Sequence, residues 1–246
     1  MNYNIYWLSN FEKIKYGAMG IGGFFLLAML FYGQLMIALP FSFIGILYIP
    51  YQKKILISER KKRLKKQFKE GLYALSSSIS VGKSVELAFV EALNDLKIIY
   101  YEEDTYIIEE FTYIVRKVSM NDSIESALLD FALRAEDEDI TNFTNVFITA
   151  KRTGGNLVEI MKYTTTTINE KIEIMENINV LITGKKYEQK ILAFLVPFII
   201  LYLHVFSSEF LEVMYHSLRG RIAMTVALML YLVSFIVSKK VVEIEV

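Results

Sequence analysis

The sequence contains no cysteine, only three prolines and only two histidines among its 246 residues. Without cysteine, the chain has no disulfide, no thiolate metal site and no cysteine nucleophile. Two histidines also leave little scope for a histidine-based metal cluster. The formal net charge is zero, but 54% of the residues are hydrophobic, which exceeds the roughly 45–50% of ordinary globular chains.

Charged residues are absent from three long runs, residues 16–51, 191–208 and 222–238. A helix that crosses a membrane needs roughly 17–25 apolar residues, so the first run has room for two spans. We place the break at Tyr32-Gly33-Gln34, because glycine adopts positive φ at little cost. The sequence therefore predicts two hairpins of short spans and three domains: an N-terminal transmembrane hairpin (1–52), a cytoplasmic helical domain (53–190) and a C-terminal transmembrane hairpin (191–246).

Basic residues flank the same end of every predicted span: Lys13, Lys15, Lys53, Lys54, Lys190, Lys239 and Lys240. The positive-inside rule makes that side the cytoplasm, so both termini and the central domain are expected there. A cleaved signal peptide is the alternative for the first run. It fits poorly, because the run continues into a second span without a small-residue cleavage site. Between the last two spans, residues 207–221 have helical spacing that favours an interfacial amphipathic helix, with an extramembrane cap on the spans as the alternative.

Residues 53–190 contain no proline, and their apolar residues follow a helical period. This pattern predicts an all-α, polytopic fold with a cytoplasmic antiparallel bundle of about six helices. Two turns divide the helices, one at Gly82 and Ser84 and one at Gly154-Gly155-Asn156. In each, glycine ends a helix and a polar side chain starts the next one. The acidic run at residues 136–139 fits either a cation site or, as we favour, a helix N-terminus.

Basic residues are concentrated directly after the second predicted span, where nine of them accompany a single acid over residues 53–69. A cluster of this kind at a membrane surface is typical of binding to anionic lipid, and nucleic-acid binding is the less favoured alternative. We define this basic collar by eight residues: Lys53, Lys54, Arg60, Lys61, Lys62, Arg63, Lys65 and Lys66. Over residues 70–190 the balance reverses, with twenty-one acids against twelve basic residues.

No motif in the sequence indicates an enzyme or a cofactor site. The Gly154-Gly155 pair lacks the Lys-Ser/Thr of a phosphate loop, and no charged residue lies inside a predicted span, which argues against an ion pathway. The segment Lys151–Leu157 lies between an amphipathic helix and a long helix that leads through Gly184 to a span with Pro197. Together with Gly82 and Ser84, it resembles the type II secretion F-domain family. The chain is most similar to the TadB-like branch, the platform proteins of tight-adherence (Flp) pili.

This resemblance implies a non-enzymatic platform in the inner membrane that docks on a hexameric secretion ATPase and acts on pilin subunits. It also implies an oligomer, often with a paralogous platform protein. Glu102, Glu103 and Asp104 are candidates for the contact with the motor, or else form an ordinary solvated loop. The alternative function is a membrane subunit or scaffold of a transport complex. The sequence does not specify which filament is served.

Overall fold

A computed structural model of the chain describes residues 2–100 and 105–242. The described residues contain helices and turns but no strand, which confirms the all-α prediction. The helices are α1 Asn10–Tyr32, α2 Leu35–Ser42, α3 Tyr48–Ser80, α4 Val85–Ile99, α5 Tyr106–Ser119, α6 Ile124–Ala135, α7 Glu138–Thr153, α8 Leu157–Phe206, α9 Ser208–His216 and α10 Leu218–Val242.

Four helical segments are long and apolar enough to cross a membrane: Asn10–Tyr32, Leu35–Ser80, Leu157–Phe206 and Leu218–Ser238. They contain the four predicted spans, so the chain has the composition of a membrane protein. The second span is not a uniform α-helix, because a 3-10 helix at Phe43–Leu47 separates α2 from α3. Pro40 and Pro50 lie on either side of this segment, and each lacks the N–H that an α-helix would use.

Internal contacts divide the chain into two units, one of Met1–Trp7 with Lys54–Ile174 and the other of Leu8–Lys53 with Met175–Val246. The first residues of the chain therefore pack with the central helices and not with the first span. In α8 the boundary falls after Ile174, whereas the sequence analysis placed it after Lys190. The chain passes between the units inside helices α3 and α8, without a loop at either point.

The first unit is built around aromatic side chains from successive helices. The ring centroids of Phe68 on α3 and Phe143 on α7 lie 5.5 Å apart, and those of Phe89 on α4 and Phe111 on α5 lie 5.3 Å apart. Buried apolar residues of α3 to α7 form this core, in line with the predicted helical period, whereas Val146 of α7 is 48% exposed. Burial of these faces drives the association of helices that would be marginal in isolation.

In the second unit, close backbone contacts and hydrogen bonds from tyrosine hydroxyl groups join the apolar helices. A Cβ atom on Gly20 of α1 would lie 2.2 Å from the carbonyl oxygen of Gly45, so only glycine permits this approach. Gly33 ends α1 in a left-handed conformation at φ 61°. The hydroxyl of Tyr215 on α9 donates to the free carbonyl of Leu30 at 2.6 Å. Helix α9 thus lies against the end of α1.

A proline in α8 is compensated by a tyrosine from α10. Pro197 has no N–H, so the carbonyl of Ala193 loses its partner in the helix. The hydroxyl of Tyr231 donates to that carbonyl at 2.8 Å. A bilayer core offers no water to an unsatisfied carbonyl, so the tyrosine hydroxyl supplies the hydrogen bond that this backbone group would need there. The same hydrogen bond joins the third and fourth apolar helices.

Candidate functional site

The basic collar on α3 divides into two groups with different surroundings. The side chains of Arg60, Lys61 and Lys65 contact other residues of the first unit. The Arg60 guanidinium lies 4.6 Å from the Tyr6 ring centroid and donates to the Ile5 carbonyl at 3.3 Å. Lys61 donates to the Glu136 carbonyl at 3.1 Å, and Lys65 pairs with Asp139. These three cations therefore have structural contacts of their own within the unit.

The exposed collar residues are Lys54, Lys62, Arg63 and Lys66, while Lys53 is half-buried. At 100° per residue, Lys62, Arg63 and Lys66 occupy one face of α3. This face, and not the whole collar, is the exposed part of the basic collar.

Asp139 forms the charged centre of the first unit. Its side chain is only 6% exposed and accepts from Lys65 on α3 and from Lys171 on α8, at 2.5 Å in the second case. Burial alone would raise the pKa of this carboxyl, but the hydrogen bonds from Lys171 and Lys65 outweigh burial and hold the pKa below its usual value. The arrangement connects α7 to the two helices that continue into apolar spans.

The acidic run to which Asp139 belongs also starts α7, as favoured from sequence. Asp137 is the N-cap, and its carboxylate accepts from the backbone N–H groups of Asp139 and Ile140 at 3.0 and 3.2 Å. Glu138 and Asp139 occupy the first helical turn, where their negative charge interacts favourably with the positive end of the helix dipole.

A second buried ion pair holds the start of the chain, and sequence reasoning missed it. Tyr3 is fully buried, and its hydroxyl donates to Glu110 at 2.8 Å. Arg134 donates two hydrogen bonds to the same carboxylate, at 2.6 and 2.5 Å. The Tyr3 backbone N–H donates to the Arg134 carbonyl at 3.1 Å. Burial, reinforced by the negative charge of Glu110, raises the pKa of Tyr3 far above its ordinary value.

The two predicted turns have the expected local chemistry. Gly82 and Gly154 have φ of 86° and 73°, and Gly155 does not have a positive φ. The Ser84 hydroxyl accepts from the Leu87 N–H, and the Asn156 side chain accepts from the Glu159 N–H, each at 3.3 Å. Glu102, Glu103 and Asp104 lie outside the described residues.

A cleft of about 640 Å³ lies between α7 and α8, directly after the Gly154-Gly155-Asn156 turn. Asn156, Tyr163 and Lys171 line it, and Asp139 contributes its charged end. The two helices and the glycine turn thus present a surface with both apolar and charged groups. No protein-family model matches the chain, and no curated protein or solved structure matches it either.

Proposed function

We propose that the chain is a non-enzymatic platform protein of a type IV-like pilus, of the tight-adherence (Flp) kind, or of a type II secretion machine. In this role it couples a cytoplasmic hexameric ATPase to the assembly of pilin subunits. One observation carries the proposal. Helix α8 runs without interruption from the polar first unit into an apolar span, and α3 joins its span through the 3-10 segment at Phe43–Leu47. A continuous helix transmits displacement along its axis, which suits a part that passes motion from a motor to a membrane assembly.

The N-terminal segment supports the hairpin arrangement. Tyr3 and residues 54–174 share one folded core, so they lie on the same side of a membrane. The apolar segment between them must then cross the membrane an even number of times, as two spans in α1 and in Leu35–Ser80 do. The Tyr215–Leu30 hydrogen bond supports a position of α9 on the same side as the turn at Gly33. Two hairpins, with the central helical bundle and both termini together, satisfy both conditions.

The charge distribution supports an inner-membrane protein whose first unit lies in the cytoplasm. The flanking lysines lie at the span ends that the two-hairpin arrangement assigns to the cytoplasm. Exposed Lys62, Arg63 and Lys66 supply positive charge for anionic lipid headgroups. The acidic body of the unit offers a complementary surface to a basic motor, which would steer association in a salt-sensitive way.

The test is co-purification of the tagged full-length chain with each secretion ATPase of its genome, at low and high salt. We expect one ATPase to be retained and to be released as salt rises. Reversal of Glu102, Glu103 and Asp104 to lysine should abolish retention. A matched control reverses three exposed acids elsewhere, Asp95, Asp122 and Glu173.

Equal retention by both triple variants would assign the contact to another surface. Failure to retain any ATPase, together with normal filament assembly and secretion after deletion of the gene, would reject the platform function. A transport defect in that deletion strain would instead favour the alternative, a subunit of a transport complex.

A further inference from the structure

An apolar groove of about 970 Å³ lies within the second unit, between α1, α8 and α10. Its walls include Phe24 and Leu27 of α1, Pro197 of α8, and Phe235 of α10. One end is different, because Lys186, Gln189 and Lys190 line it together with Tyr48. The groove is therefore amphiphilic, with an apolar trough that ends in two cations and two hydrogen-bonding side chains.

The two lysines at this end are not neutralised by neighbouring acids. Lys186 donates to the Asn179 side chain at 3.4 Å, and the Lys190 ammonium lies 5.4 Å from the Tyr187 ring centroid. Among the residues that the structure describes, neither lysine pairs with a carboxylate. The adjacent Lys185 does pair with Glu188, at 2.8 Å. The groove end thus carries an unbalanced positive charge, complementary to an anionic headgroup.

The length of the groove distinguishes between apolar occupants. From Lys190 to Leu201 on α8, and from Met19 to Leu30 on α1, each wall measures about 16 Å at 1.5 Å per residue. Half of a hydrocarbon core of roughly 30 Å is about 15 Å, so each wall matches one leaflet. A transmembrane helix of a partner would need a groove across the whole core. An acyl chain needs only one leaflet.

We propose that this groove is a binding site for an anionic phospholipid. One acyl chain lies between α1, α8 and α10, and the phosphate is held by Lys186 and Lys190, with Gln189 as a further donor. Basic pockets between membrane helices recognise phospholipid headgroups in this way. The site differs from the exposed face of α3, which attracts anionic headgroups at the membrane surface without enclosing a chain.

Two glycines of α1 provide a matched pair of variants. A Cβ atom on either Gly22 or Gly23 would meet no atom within 4 Å, but only Gly23 lines the groove. Gly23→Leu therefore fills the groove without backbone strain, and Gly22→Leu makes the same chemical change outside it. At the charged end, Lys186→Gln with Lys190→Gln removes the phosphate contacts, and Lys185→Gln is the control.

The experiment titrates the full-length chain in detergent with dioleoylphosphatidylglycerol, and in parallel with dioleoylphosphatidylcholine, and counts bound lipid by native mass spectrometry. We expect one retained phosphatidylglycerol per chain and preference over phosphatidylcholine. The double lysine variant should weaken phosphatidylglycerol binding about 25-fold, at roughly a fivefold loss per lysine. Gly23→Leu should abolish the retained lipid, whereas Gly22→Leu and Lys185→Gln should behave as wild type.

Three results would overturn the proposal: equal retention of the two lipids, unchanged binding in the double lysine variant, or equal binding by the Gly22 and Gly23 variants. The melting temperature of each variant serves as a control for folding. If Gly23→Leu unfolds, the double lysine variant decides the question, because exposed Lys190 and half-buried Lys186 contribute no apolar core.

Discussion

Gly154 and Gly155 lie side by side between α7 and α8, but each is required for a different reason. Gly154 has φ 73° and open space around its missing Cβ, so a side chain there suffers backbone strain alone. Gly155 has no positive φ, and its Cβ would lie 3.2 Å from that of Ala150. Only Gly154 therefore serves backbone geometry, as expected of a glycine that ends a helix, and for Gly155 the reason is close packing.

We therefore expect Gly154→Ala to destabilise the chain by about 1–2 kcal/mol, the cost of a left-handed conformation for an L-residue. Gly154→Asn should recover most of this loss, because asparagine tolerates that region. Thermal unfolding of the full-length chain in detergent measures both variants. Equal loss in the two would show that side-chain volume, and not φ, is the constraint.

At Gly155 the order of effects should follow side-chain size. Gly155→Ala needs a shift of a few tenths of an ångström at Ala150, whereas Gly155→Val adds two further carbons to the same contact. Overpacking of this kind costs about 1–3 kcal/mol. In the same unfolding measurement, the melting temperature of Gly155→Val should be well below that of Gly155→Ala. A valine variant as stable as wild type would contradict the packing account.

The hydrogen bond from Tyr231 to the Ala193 carbonyl gives a prediction about Pro197. Tyr231→Phe leaves this carbonyl without a partner, at a cost of about 1–3 kcal/mol. Pro197→Ala restores a backbone N–H to α8, so the cost of Tyr231→Phe should shrink in that background. A double-mutant cycle on the free energy of unfolding measures this coupling. Tyr202→Phe, at an exposed position on α8, is the control, and purely additive effects would reject the compensation.

At the scale of helices, α3, α7 and α8 meet at one buried carboxylate. Asp139 lies at the N-terminus of α7 and pairs with cations of the two helices that continue into apolar spans. Its removal leaves two neighbouring lysines without a counter-charge, which is the costly way to break an ion pair. The contact therefore matters more for the arrangement of these helices than for the net charge of the unit.

We expect Asp139→Asn to destabilise the first unit by about 2 kcal/mol, less than a fully buried pair would lose because both lysines are partly solvated. Asp130→Asn is the control, since Arg134 keeps its two hydrogen bonds to Glu110. Limited proteolysis of the full-length chain in detergent reports on this unit. Equal protection of the two variants would contradict the role of Asp139.

Acid should act on the same contact. Because the folded pKa of Asp139 lies below the usual value, its contribution to stability is complete above the unfolded pKa of about 3.9 and is lost as pH falls through the folded value. Protease protection of the first unit should therefore decrease below about pH 4. The decrease should be smaller in Asp139→Asn, and an identical acid profile would reject the assignment.

For the chain as a whole, the proposed two-hairpin topology predicts which positions are accessible from outside the cell. Tyr3 lies in the core of the first unit, so the proposal assigns the N-terminal segment and residues 54–174 to one side of the membrane. The chain lacks cysteine, which makes single-cysteine labelling straightforward. Gly33 is a poor position for the label, because a Cβ there would lie 2.6 Å from the Tyr215 ring.

Cysteines at Gln34 and at exposed Glu212 should react with an impermeant maleimide added outside intact cells. A cysteine at exposed Asn94 on α4 should react only after the cells are permeabilised. The reason is that the proposed topology assigns the first two positions to the outside and the first unit to the cytoplasm. Labelling of Asn94 in intact cells would invert the orientation, and labelling of Gln34 and Glu212 from different sides would exclude two hairpins.

Features that depend on neighbours along the chain could be predicted before the structure was known. Uncharged runs of sufficient length predicted the four apolar spans, the helical period predicted the buried faces of α3 to α7, and local turn chemistry predicted the caps at Ser84 and Asn156. These features follow from backbone hydrogen bonding and from one-sided burial, both of which act over a few residues.

Only the tertiary structure decided which charged and polar residues meet. Tyr3 and Glu110 are 107 residues apart in sequence, and nothing in the local pattern distinguishes Glu110 from a solvated glutamate. The basic collar likewise looks uniform along α3, yet Lys65 pairs with buried Asp139 while Lys62 is exposed. A charged residue has the same propensity to form a helix whether or not another helix brings a partner to its side chain. Its role is therefore fixed by the packing of distant helices.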